Sequence, residues 1–225
     1  IRDSVASRGL GDVYKRQCEG VVSNKLPYIG HYDLAYSTVD GNQVIDTIFQ
    51  PIHSFAFQNQ EGIQVTNESY TNKIWITEFF FTTCPTICPI MNVQMTKLSE
   101  EVRELNAENI VQFLSFSIDP EKDTPEALKK YKNLHCSDCS NWDFLTGNEE
   151  LTHKLGIESF KVFAGREEEA EGGYAHSGAF SMVDKDGYLR GVYNITDFDG
   201  SVNKIEYQRL LKELKILIES QLVTN

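Results

Sequence analysis

Two close pairs of cysteines are the residues of this sequence best suited to chemistry. Cys84 and Cys88 form a C-x3-C motif, and Cys136 and Cys139 form a C-x2-C motif. Close pairs of this kind can be oxidised reversibly to a disulfide, and as thiolates they bind soft metal ions such as Cu(I) and zinc. The spacing therefore points to redox chemistry or metal binding more than to a scaffold of dispersed disulfides.

The first pair is predicted to lie between a buried strand and a helix. Residues 73–81, KIWITEFFF, are mostly apolar, β-branched and aromatic, which predicts a strand buried on both faces. Residues 91–105 have apolar side chains at helical spacing, and Pro89 suits a first helical turn. Sites in open α/β sheets are built where strands end, and the helix dipole would stabilise a thiolate at Cys84 or Cys88.

If both cysteines occupied the first turn, their sulfurs would share one face. Alternatively, Cys84 and Cys88 are buried structural residues, or they form a simple disulfide.

Strands and helices alternate through the rest of the chain. Residues 110–118 have a second buried-strand pattern, and Thr124 followed by Pro125 predicts the start of a helix. Near the N-terminus, residues 31–49 predict a β-hairpin that turns at Asp40-Gly41. This alternation predicts an α/β fold with a layered sheet.

The domain organisation follows from a change in composition after the first residues. Residues 1–17 carry four Lys or Arg and almost no apolar periodicity, so we interpret them as a non-native or disordered leader. We assign residues 18–50 to an N-terminal extension with the hairpin, and residues 51–225 to the main domain.

The charge of the chain excludes a nucleic-acid binder, and its hydropathy predicts no transmembrane helix in this sequence. The 225 residues include 21 Lys and Arg against 33 Asp and Glu, a formal charge of -12, so the basic surface of a nucleic-acid binder is missing. No run approaches the roughly 18 apolar residues of a transmembrane helix.

Four motifs together carry a family resemblance. They are FFFTTCPTICPIM, FLSFSIDPEKDTPEALKKY, NWDFLTG and YAHSGAFSMVDKDGYLRGVY, in this order within residues 50–222. Their sequence and order resemble the SCO/SenC family of thioredoxin-like copper chaperones, bacterial type.

The resemblance implies both a fold and a function. The fold would be thioredoxin-like, with a central mixed sheet flanked by helices and an N-terminal β-hairpin extension. Copper, as Cu(I) or Cu(II), would be bound by Cys84, Cys88 and His176, and delivered to the dinuclear centre of cytochrome c oxidase subunit II or to another copper-protein client. The protein would be membrane-anchored in the bacterial periplasm or at the outer face of the cell membrane, where it would face an oxidising compartment.

The residues themselves support His176 more weakly than the resemblance does. It lies in a loop of small residues just before a predicted strand, and a neutral imidazole would add one nitrogen donor to two sulfurs. The remaining histidines belong to no motif, and we interpret them as solvated or structural: His31, His53, His135 and His153.

A second function uses the same cysteines. A thiol–disulfide oxidoreductase could reduce the cysteines of a copper-protein client with Cys84 and Cys88 as a redox-active pair. The three-residue spacing differs from the C-x2-C of thioredoxin-type redox motifs, which favours metal binding.

Other residues of the motifs leave alternatives open. Asp119 and Asp123 match an acidic pair of the family and could contact the metal-site loop or a partner, although capping and turn formation explain them equally well.

Cys136 and Cys139 depart from the family pattern. A shared zinc site with the first pair would leave 47 residues between the pairs, against about 15–20 in compact zinc motifs. We expect a local disulfide that pins a surface loop, with an accessory redox pair or metal site as the alternative. Cys18 would be either a tail cysteine or, if the residues before it are foreign, the lipidated anchor of a lipoprotein.

Overall fold

The computed structural model describes residues 26–39, 41–167, 174–197 and 199–223. The predicted leader (1–17) and Cys18 lie outside the described residues. Residues 26–49 form the first part of the described chain, and the hairpin predicted there is present. Its strands pair antiparallel in register from Tyr32 with Phe49 to Val39 with Asn42.

The described residues form eleven strands. These are β1 (Tyr32–Val39), β2 (Asn42–Phe49), β3 (Ala56–Asn59), β4 (Gln64–Thr66), β5 (Ile74–Phe80), β6 (Val111–Ser117), β7 (Trp142–Thr146), β8 (Ala164–Arg166), β9 (Tyr174–His176), β10 (Ala179–Val183) and β11 (Leu189–Asn194).

Four α-helices and two short helical turns lie between the strands. They are α1 (Cys88–Glu104), α2 (Pro125–His135), α3 (Glu149–Leu155) and α4 (Lys204–Val223), with a 3₁₀ turn at Asn67–Tyr70 and a π turn at Gly156–Phe160.

Seven strands form one mixed sheet in the order β11-β10-β5-β6-β7-β3-β4. The central strands β5, β6 and β7 run parallel, and the strands on either side of them run antiparallel. Two hairpins, β1–β2 and β8–β9, stand outside this sheet. The expected α/β fold with a central mixed sheet, flanking helices and an N-terminal hairpin is confirmed.

The two central strands are buried along their whole length. Every residue of β5 and β6 is buried, as their continuous apolar pattern predicts. Phe79 on β5 stacks on Phe116 of β6, with ring centroids 5.3 Å apart. This rigid centre fixes the end of β5, from which the chain runs into the first cysteine pair.

Helix α1 buries the face that its spacing predicts. Met91, Met95, Leu98 and Val102 are fully buried, while Leu105, just past the end of the helix, is exposed. Helix α2 begins at the expected place, because the Thr124 hydroxyl accepts a hydrogen bond from the Ala127 N–H at 3.3 Å.

Helix α3 ends at Leu155 and leads directly into the π turn at Gly156. Gly156 keeps a right-handed helical conformation and begins the π turn, and the chain turns left-handed only at Lys161, with φ of 58°. A Cβ at Gly156 would lie 3.3 Å from both the Ala164 Cβ and the Val162 carbonyl oxygen. Close packing therefore explains why a glycine occupies this position.

Candidate metal centre

Cys84 and Cys88 lie where β5 ends and α1 begins. Cys88 is the first residue of α1 and is followed by Pro89, as expected. Cys84 precedes the helix, in a turn where its N–H donates to the Phe81 carbonyl at 3.2 Å. The two cysteines therefore do not share the first helical turn. Both are buried thiols, and no disulfide joins them.

The two thiols nevertheless interact with each other. The Cys88 side chain is hydrogen-bonded to the Cys84 side chain and to the Phe81 backbone. Cys84 Sγ also lies 3.6 Å from Thr86 Oγ1. Two sulfur donors are thus held together at the end of a rigid strand.

Burial sets the protonation of Cys88. Desolvation raises the pKa of this thiol far above its ordinary value, and the hydrogen bond to Cys84 raises it further. Burial therefore opposes the stabilisation of a thiolate that we expect from the helix dipole at Cys88. Removing its proton requires a positive charge close to the sulfur, which a bound metal ion supplies.

Asp123 holds the loop that leads to the cysteines. Its carboxylate accepts the Thr82 N–H at 3.1 Å, and the Thr82 hydroxyl donates to it as well. Ser117, at the end of β6, donates to the same carboxylate at 2.5 Å. This buried carboxylate ties the ends of two central strands together and orients the loop before Cys84.

Asp119 faces the hairpin that carries His176. It pairs with Lys122 at 2.9 Å and accepts a hydrogen bond from the Tyr174 hydroxyl at 3.5 Å. The Tyr174 ring packs on Phe81, with centroids 5.5 Å apart. The acidic pair therefore positions two segments of the candidate site: Asp123 holds the cysteine loop and Asp119 holds the start of β9.

His176 is the last residue of β9. Its backbone pairs with Ala164 on β8, and the next residue, Ser177, donates its N–H to the Phe163 carbonyl at 2.9 Å. The side chain of His176 lies outside the described part of the structure. Its role as a ligand stays a prediction.

A buried carboxyl group on β5 is close enough to the cysteine pair to affect Cys88 electrostatically. Glu78 on β5 accepts a hydrogen bond from Ser115 Oγ at 2.7 Å, and its other oxygen, Oε2, has no partner within the described residues. Burial raises the pKa of Glu78 to about 7, and its charge in turn raises the pKa of Cys88. Ser115 also accepts the Trp142 indole N–H at 2.9 Å.

Asn92 links helix α1 to helix α2 next to the same pair. Its amide donates to the Cys88 carbonyl at 2.8 Å and to the Tyr131 hydroxyl at 2.6 Å. Sequence reasoning missed Glu78, Asn92 and Tyr131. A charged residue inside an otherwise apolar strand was the one available signal, and it pointed to Glu78.

The second cysteine pair forms the expected local disulfide. Cys136 and Cys139 are bonded, with Cα atoms 5.5 Å apart, in the loop between α2 and β7. A surface cavity of about 1010 Å³ is lined by Pro51, Trp75 and Tyr188, among others, and includes neither cysteine pair.

The motifs and this geometry agree with one known family. A family model described as SCO1/SenC matches residues 49–207. The chain belongs to the SCO1/SenC family. The "SCO1 protein homolog" of Bacillus subtilis (strain 168) is 37% identical over 177 residues, covering 76% of this chain and 90% of the relative.

Solved structures of SCO1/SenC proteins share the fold. A SCO1/SenC family lipoprotein from Bacillus anthracis has a TM-score of 0.65 and 31% identity, covering 74% of this chain and 94% of that chain. BsSco is described as having a disulfide switch and as a member of the Sco family of cytochrome c oxidase assembly proteins. It has a TM-score of 0.62 and 33% identity, covering 75% and 93% of the two chains.

A copper-bound structure shares the fold at lower identity. ScoI of Bradyrhizobium japonicum, solved with copper bound, has a TM-score of 0.57 and 23% identity, covering 73% of this chain and 99% of that chain. The thioredoxin-like SCO1/SenC fold is thus shown for this chain. Within the described ranges, every helix is too short or too polar to span a lipid bilayer.

Proposed function

We propose that this SCO1/SenC protein is a copper-binding metallochaperone whose cargo is held by Cys84, Cys88 and His176. The observation that carries the proposal is the hydrogen-bonded pair of buried thiols at the end of β5. Thiolate sulfur is a soft ligand that selects Cu(I) over hard cations, and an imidazole nitrogen allows the set to accept Cu(II) as well.

Loading exchanges protons for metal. Burial keeps Cys88 protonated before copper arrives, so binding must displace the thiol proton into solvent. Asp123 holds the cysteine loop through Thr82 before the metal enters, which lowers the entropy cost of assembling the ligands.

We further propose that the recipient is a copper-protein client, in the first place the dinuclear copper centre of cytochrome c oxidase subunit II. The membership of BsSco in a family of oxidase assembly proteins supports this recipient. The lipoprotein relative supports a membrane-anchored position facing the periplasm or the cell exterior, through an N-terminal anchor or a lipidated Cys18.

Copper stoichiometry of the reduced protein tests the ligand set. We expect about one copper per chain in the unaltered protein, and loss of tight binding in Cys84→Ser and in Cys88→Ser. The matched control is Cys136→Ser combined with Cys139→Ser, which removes two sulfurs elsewhere and should leave binding nearly intact. Equal losses in the control and in the single variants would overturn the assignment.

The closeness of the two thiols also favours a second candidate function, thiol–disulfide exchange on a copper-protein client. Oxidation to a Cys84–Cys88 disulfide would remove both sulfur donors, so copper should bind the oxidised form at least about ten-fold more weakly. If the protein reduces a client disulfide but transfers no copper to the client, it is an oxidoreductase and not a copper chaperone.

A further inference from the structure

Cys136 and Cys139 form a second sulfur site beside the C-terminal half of helix α1. The Cys136–Cys139 disulfide has the C-x2-C spacing of redox-active pairs. Cys136 is the C-cap residue of α2, with its N–H donating to the Lys132 carbonyl at 2.7 Å, and Cys139 packs against α1.

The two sulfurs differ in their nearest charged contact. Arg103 Nη2 lies 3.9 Å from Cys139 Sγ, and Ser99 Oγ lies 3.6 Å from the same sulfur. Cys136 Sγ lies 3.9 Å from an oxygen of Asp138, at the negative end of the α2 dipole. Asp138 also pairs with Arg103, and its carboxylate lies within 4.8 Å of both sulfurs. Because the guanidinium contacts Cys139 and the C-terminal end of α2 faces Cys136, a negative charge is better placed on Cys139 than on Cys136.

Two carboxylates hold Arg103 beside Cys139. Its guanidinium pairs with Asp138 at 3.4 Å and with Glu108 at 3.3 Å. The cation is thus fixed beside the disulfide by partners on both sides of it.

Access to the disulfide is also one-sided. A surface cavity of about 210 Å³ is lined by Cys136 and Asp138, and also by Ser99 and Arg103, but not by Cys139 itself. Cys136 is 8% exposed and Cys139 is 3% exposed. A small nucleophile that enters this cavity meets Cys136 before Cys139, and attack on Cys136 would make Cys139 the leaving sulfur, beside Arg103.

We propose that Cys136–Cys139 is a second, exchangeable disulfide that a small dithiol reduces by attack on Cys136. The thiolate of the dithiol forms a bond to Cys136 Sγ while the Cys136–Cys139 bond breaks, and Cys139 leaves as a thiolate beside Arg103. The second thiolate of the dithiol then attacks the dithiol sulfur that is bonded to Cys136. The two dithiol sulfurs become joined, and Cys136 is released and takes up a proton. The dithiol loses two electrons and becomes a disulfide, and the protein pair gains them.

This site works independently of the copper pair. Ser99, which contacts Cys139, follows Cys88 by 11 residues on α1, a helical rise of about 16 Å. Sulfurs that far apart cannot exchange directly, so the electrons must come from a separate dithiol.

The site of attack can be mapped in the full chain with Cys84→Ser and Cys88→Ser. Glutathione is the probe, reaction is stopped early with iodoacetamide, and the peptides are analysed by mass spectrometry. We expect glutathione on Cys136 and the alkyl group on Cys139, in at least ten-fold excess over the reverse. Equal amounts, or glutathione mainly on Cys139, would overturn the proposed direction.

Reduction kinetics test whether the disulfide exchanges in the folded protein. With dithiothreitol, the rate should rise in proportion to reagent concentration, whereas a rate that stays at the unfolding rate means a purely structural disulfide and ends the proposal. Arg103→Gln should slow reduction about tenfold, and Arg103→Lys should restore most of the rate because it keeps the charge. Reduced thioredoxin should react more slowly than dithiothreitol at equal concentration; a faster reaction would refute a small dithiol as the substrate.

Discussion

The carboxylate of Asp123 accepts a hydrogen bond from the backbone N–H of Thr82, two residues before Cys84, at 3.1 Å. This contact joins the acidic segment after β6 to the loop after β5. It explains why an aspartate that could be no more than a turn residue in the sequence lies fully buried in the structure.

Replacing Asp123 should therefore loosen the copper site and the fold together. Asp123→Ala leaves the Thr82 N–H and the Ser117 hydroxyl without their acceptor, which costs about 1–3 kcal/mol for each buried group left unpaired. We expect a lower free energy of unfolding in urea and at least about ten-fold weaker copper binding. Glu121→Gln changes an exposed carboxylate in the same segment and should alter neither. Unchanged copper affinity in the Asp123 variant would show that the loop needs no such support.

His176 separates the two candidate functions. His176 is one of three proposed donors, so His176→Ala should weaken copper binding at least about tenfold (about 1.4 kcal/mol). Thiol–disulfide exchange needs only the two sulfurs, so the rate with a model disulfide should fall little. His31→Ala, which removes an exposed imidazole, is the control. A His176 variant that keeps copper but loses exchange would instead assign the histidine to redox chemistry.

Copper affinity should increase with pH. The raised pKa of Cys88 keeps its thiol protonated through the neutral range, and binding must release that proton. Each released proton makes the affinity rise about tenfold per pH unit, so competition titrations from pH 6 to pH 8 should show at least this slope. The variant without Cys136 and Cys139 should give the same slope, and a flat profile would mean that Cys88 is already ionised.

Glu78 should make the unaltered protein less stable as the pH rises. Its folded pKa of about 7 lies above the ordinary value of 4.5, so its contribution is fully present below pH 4.5 and is lost as the pH rises to about 7. The loss amounts to about 3 kcal/mol. Glu78→Gln cannot ionise, so its free energy of unfolding relative to the unaltered protein should increase by that amount between pH 4.5 and pH 8.

Urea denaturation at several pH values measures this difference, in which the other titrating groups cancel. Glu104→Gln removes an exposed carboxyl group and should show no such trend. If the stability difference between Glu78→Gln and the unaltered protein is constant over this range, Glu78 is ionised in the folded protein and the burial argument is wrong.

Local patterns of the sequence predicted the framework of the molecule. The apolar stretches that became β5 and β6, the Thr124 cap of α2 and the apolar face of α1 depend on neighbours in the chain, so residue type and spacing are enough to identify them. The four motifs likewise led to the family and its fold.

The chemistry of individual groups depended on contacts between distant segments. Whether Cys88 is a thiol or a thiolate depends on how deeply it is buried, and whether Asp123 caps a turn or holds Thr82 depends on two strand ends meeting. The difference between Cys136 and Cys139 arises because Arg103 of α1 contacts the Cys139 sulfur, whereas Asp138 contacts the Cys136 sulfur. Residue types and spacing thus determined which elements form and which groups can react. Only the tertiary structure decided protonation and polarity, because desolvation and Coulomb interactions act through space between residues far apart in the chain.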